Sequence, residues 1–79
     1  MATKIKLIWD FRGPNAERTA GHHAHHLEDF KKFEGIEEAL CGTEEISPVH
    51  HLAYMVVDQE YMDDLRKRLK PHRGQRYSD

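Results

Sequence analysis

With 79 residues the chain is long enough for a single domain (residues 1–79), in a size range where one core is often supplemented by a second copy or a bound ion. Twelve basic against fourteen acidic residues give a formal net charge of −2, which lacks the surplus of cations expected of a nucleic-acid binder. The lone Cys41 cannot form an internal disulfide, and without CxxC or Cys/His spacing it argues against a thiolate metal site.

The first residues, Met1-Ala2-Thr3-Lys4, lead straight into strand-like sequence, with no basic segment ahead of a long apolar one. The expectation is a soluble, cytoplasmic protein with no membrane partner. Charge is uneven along the chain: Glu28, Asp29, Glu34, Glu37, Glu38, Glu44 and Glu45 make the middle acidic, and Arg66, Lys67, Arg68, Lys70, Arg73 and Arg76 make the last part basic. Complementary solvated faces or self-association account for this better than an RNA-binding patch.

Ile5, Leu7, Trp9 and Phe11 alternate with Lys4, Lys6, Ile8 and Asp10, the period of two that marks a strand with one buried face. Arg12-Gly13-Pro14 ends it, and Pro14 suits the first position of a helix because its missing N–H would be unpaired there. That helix runs from Pro14 to Phe33 or Glu34, with Ala16, Ala20, Ala24, Leu27, Phe30 and Phe33 as its apolar stripe and Gly35 as its stop. It contains Gly21-His22-His23-Ala24-His25-His26, four histidines in five residues. Projection at 100° per residue places His23 in the apolar stripe, His26 on its flank, and His22 and His25 further out.

Residues 36–46 carry a weaker pattern, interrupted at Gly42, that reads as an edge strand with a glycine bulge. Ser47-Pro48 is turn chemistry. Residues 50–57 are apolar on both faces, as expected of a central strand. Asp58 should cap a second helix with Tyr61, Met62, Leu65 and Leu69 as its buried face, ended by Pro71. A short last strand at residues 75–77, or none, completes the order.

Strand, helix, strand, strand, helix and short strand resembles the ferredoxin-like, split βαβ class: an α+β fold with an antiparallel sheet and both helices on one face. The resemblance is of fold alone and brings no function with it. It implies that Arg12-Gly13-Pro14, the turn before the third strand and Pro71-His72-Arg73-Gly74 lie at one end of the sheet. Arg12, His22, His23, His50, His51, His72 and Arg73 then converge on one edge, where guanidinium and imidazole groups suit a small anion.

His22 and His26, four apart on a helix, have chelate spacing, so a divalent metal ion is a second ligand class. His23 or His50 is the first choice for a general base in a cofactor-free enzyme. The open sheet face, carrying Ile8 and either the Tyr54 or the Met55 set, would be covered by a second copy, making a homodimer. Three functions follow: a ligand-binding domain at the His/Arg edge, an enzyme using a histidine base, or a homodimeric interaction module without a small ligand.

Overall fold

A computed structural model describes residues 3–77, so the first two residues, used above to judge targeting, lie outside it, as do the last two of the expected domain. The elements are β1 (Lys4–Arg12), α1 (Ala16–Glu34), β2 (Leu40–Ser47), β3 (His50–Asp58), α2 (Met62–Leu69) and β4 (Arg73–Tyr77). They form an α+β structure whose four strands make one antiparallel sheet in the order β2-β3-β1-β4. Thus β1 and β3 are central. The fourth strand is present, and at five residues it is short.

Alternation in β1 does what the sequence implies. Leu7 and Trp9 enter a cluster with Ala53, Met55 and Val57 of β3, Leu27 of α1 and Leu65 of α2, with Ile5 and Phe11 packed against it. At the end of β1, Gly13 adopts φ 115°, where only glycine is unstrained, and its N–H donates to the carbonyl of Val49 at 2.8 Å. This ties β1 to the β2–β3 turn. Pro14 lies in the turn between β1 and α1, and the helix begins at Ala16, two residues later than expected. Gly35 ends it in the left-handed conformation, donating back to Lys31 and Lys32. Phe33 leaves the expected stripe and is 86% exposed, because six residues beyond Leu27 places it 240° around the helix.

Other expectations shift for local reasons. Ile36 and Ala39 are buried but precede β2 rather than belong to it. Gly42 is not the bulge: it pairs regularly with Tyr54, and the irregularity falls between Glu45 and Ser47. Glycine is needed at 42 because the Tyr54 ring lies over it, and a Cβ there would stand 2.6 Å from the phenolic oxygen. Asp58 makes no capping hydrogen bond; its carboxylate is 2.7 Å from the Lys4 ammonium, and a 3-10 turn, Gln59–Tyr61, leads into α2. Tyr61 sits in that turn and is exposed. Leu65 is the fully buried residue of α2, and the Leu69 carbonyl accepts a hydrogen bond from the Trp9 indole at 3.0 Å.

The opposite face of the sheet carries Ile8 from β1 and the Leu52, Tyr54 and Val56 set from β3. Ile8, Leu52 and Val56 are only 2–3% exposed within a single chain. Polar side chains share this face: the Lys6 ammonium lies 4.6 Å from the Tyr54 ring centre and pairs with Glu44, while Asp10, His50 and Arg73 form a second group. Leu40, the register partner of Val56 on the same face, is 54% exposed. Among the described residues, no helix is long and apolar enough to cross a membrane.

Candidate functional site

The group on the open face is built around a residue that the expected set omitted, Asp10. Alternation places Asp10 on this face between Ile8 and Arg12, and the register sets Arg12 opposite His50. One Asp10 oxygen is 2.9 Å from His50 Nε2. The Arg73 guanidinium grips the carboxylate with two donors, Nε at 3.0 Å and a terminal nitrogen at 3.2 Å. The Asp10 pKa falls to about 2, chiefly through the Arg73 hydrogen bonds, against the opposing effect of burial and with further help from His50. The same pairing raises the Arg73 pKa. Asp10 is thus an anion throughout the physiological range, with its charge already answered by Arg73.

His72 reaches Asp10 from the other side. The Asp10 backbone N–H donates to His72 Nδ1 at 2.8 Å, while the His72 backbone N–H donates to the Ile8 carbonyl at 2.9 Å. An imidazole nitrogen here stands where a strand carbonyl would continue the β1–β4 ladder, and accepting at Nδ1 leaves the proton of a neutral ring on Nε2. His72 is in this way part of the sheet's hydrogen bonding.

The seven residues expected at one edge divide by sheet face. His50 and Arg73 gather at Asp10 on the open side, with Arg12 exposed beside them and making no ion pair among the described residues. His51 points to the helix side opposite Phe11, is 6% exposed, and lies 3.6 Å from Glu45. The one-residue step from His50 to His51 reverses the face, so adjacent histidines cannot serve one site. His23 also lies on the helix side, with its ring centre 4.8 Å from that of Trp9 and 5.6 Å from that of Phe11. Its Nε2 is buried with no hydrogen-bond partner among the described residues, and burial, with smaller effects from His26 and His72, lowers its pKa. It is a neutral ring packed among aromatics.

His22 is exposed, and its ring centre is 6.3 Å from that of His26. Among the described residues no group of three or more His, Cys, Asp or Glu side chains is placed to hold a metal ion. Cys41 is half-buried, and burial, aided by the charge of Glu28, pushes its thiol up to about 11. It is a poor nucleophile at neutral pH. No protein family, no curated protein and no solved structure matches the chain.

Asp10 was legible in part. It is the acid of Asp10-Phe11-Arg12-Gly13, in phase with Ile8 on the face that the helices leave open. An acidic residue there, at the end of the sheet where arginines and histidines converge, has to find a cation.

Proposed function

We propose that this chain is a small ligand-binding domain on a ferredoxin-like frame, taking a small carboxylate or phosphate at the open-face end of the sheet through Arg12 and His50. The observation that carries the reading is the division of labour around Asp10. Arg73 is consumed in holding the carboxylate, Asp10 fixes the orientation of His50, and Arg12, the register partner of His50, keeps an uncommitted guanidinium. The element order and the sharing of one core cluster by Leu27 and Leu65 support the frame. A divalent ion is the poorer ligand, because the Arg73 guanidinium already faces the Asp10 oxygens.

A thermal unfolding series with inorganic phosphate, acetate, citrate and zinc tests this. Ligand at ten times its Kd should raise the Tm by roughly 5–10 °C, since binding to the folded state alone stabilises it. Arg12→Ala should abolish the shift. No shift with any anion, or an undiminished shift in Arg12→Ala, removes the proposal.

The 2.9 Å contact between Asp10 and His50 also favours a second reading. A carboxylate that receives the Nε2 proton leaves Nδ1 of a neutral imidazole as a lone pair, which is how a general base is oriented. Arg12 would hold a carboxylate on a carbonyl-type substrate. Exchange of the methyl protons of pyruvate in deuterated water, lost in His50→Gln, is the corresponding assay.

A further inference from the structure

A groove of about 340 Å³ runs between β4 and α2; His72 and Arg73, which also contact Asp10, are among its lining, but Asp10 itself is not. Its walls include Ile5, Leu7, Met62 and Pro71, and Arg66 and Arg76 stand at its rim. It exists because of what β4 lacks. The register puts Gly74 opposite Leu7 and Arg76 opposite Ile5, so the helix-facing side of this strand carries no apolar side chain to close over the β1 residues. A Cβ added at Gly74 would meet the Leu7 and Ile5 side chains at 3.7 and 3.8 Å, ordinary contact distances.

We infer that this groove binds an amphipathic monocarboxylic acid, its apolar body against Ile5, Leu7, Met62 and Pro71 and its carboxylate between Arg66 and Arg76. Its volume lies within the range of small-molecule sites. The charge pattern selects the head group: no carboxylate lines the groove, and neither Arg66 nor Arg76 has an ion pair among the described residues. A guanidinium presents paired donors that match a carboxylate. Ile5, Leu7, Met62 and Pro71 select the body by offering apolar surface beside the polar residues His72, Arg73 and Gln75, which also line the groove.

Calorimetric titration of the full chain with octanoate, octanol and acetate tests the assignment. Octanoate should bind at one saturable site, with octanol and acetate each at least tenfold weaker. Arg66→Ala/Arg76→Ala, which alters two exposed side chains, should weaken octanoate at least tenfold and leave octanol unchanged. Gly74→Leu should fill the groove and abolish binding, with folding checked by circular dichroism; if that variant does not fold, Gly74→Ala and the arginine pair decide. His50→Ala and Arg12→Ala, on the other face, should bind octanoate as the parent chain does. The inference is overturned if octanoate does not saturate, if octanol binds as tightly, if a folded Gly74→Leu retains binding, or if the open-face variants lose it.

Discussion

The two faces of the sheet bury their apolar residues by different means. On the helix side, Leu7, Trp9, Met55 and Val57 are covered by Leu27 and Leu65, apolar against apolar. On the other side, Ile8, Leu52 and Val56 are equally inaccessible, but the register neighbours that share their face include Lys6, Glu44, Asp10, His50 and Arg73, which pair with one another. Long charged side chains cover apolar surface with their stems and keep their heads in water. A sheet face can therefore bury much of its apolar sequence beneath charged side chains of the same chain.

The comparison is tested most severely in the core. Leu65→Ala should cost about 2–5 kcal/mol, a large share of the stability of a domain this small, since a fully buried leucine leaves a cavity. Urea denaturation reads it directly. Asp10→Ala, on the other face, should cost less, about 1–3 kcal/mol, because the His50 and Arg73 contacts it strips are partly open to water. If the two losses are equal, the polar cover is as rigid as the core and the distinction fails.

Acid should separate the faces further. The Asp10 pKa is lowered from 3.8 to about 2, so its contribution is complete above the unfolded value and is lost as pH falls through about 2. It is on the order of 1–2 kcal/mol after allowance for the exposure of Arg73. The His23 pKa is also lowered, from 6.5, so the unfolded chain takes up protons first, and stability declines from pH 6.5 downward through the folded value. Urea midpoints against pH should fall in two windows, the upper one flattened by His23→Leu and the lower one by Asp10→Asn. The smallest effect is expected at Lys6. Lys6→Met keeps the stem and removes the ammonium, and should change stability by less than about 1 kcal/mol, declining further in salt.

Much of this frame was legible because β1 and β3 carry clean patterns, alternation in one and apolar residues on both faces in the other. Gly35 and Pro71 punctuated the helices correctly. What escaped depends on partners distant in sequence. Asp58 resembles a cap until Lys4 is beside it, and Gly42 resembles a bulge until Tyr54 lies across it. The candidate site was legible as a neighbourhood. The expected residues were sorted by end of the sheet but not by face, which a strand reverses at every residue. His50 and His51 show the cost of that omission, and His23 shows that a histidine in an apolar stripe is held by its stripe.

The way Asp10 is partnered also bears on how the chain acquires its structure. His50, His72 and Arg73 stand 40, 62 and 63 residues further along the chain. Every one of these partners of Asp10 therefore requires closure of a long loop, and non-local closures are the slow steps in folding small domains. The strand that is first in sequence occupies the middle of the sheet and is completed only when the last strand docks. During synthesis on the ribosome, Asp10 would wait for nearly the whole chain to emerge before its charge is matched.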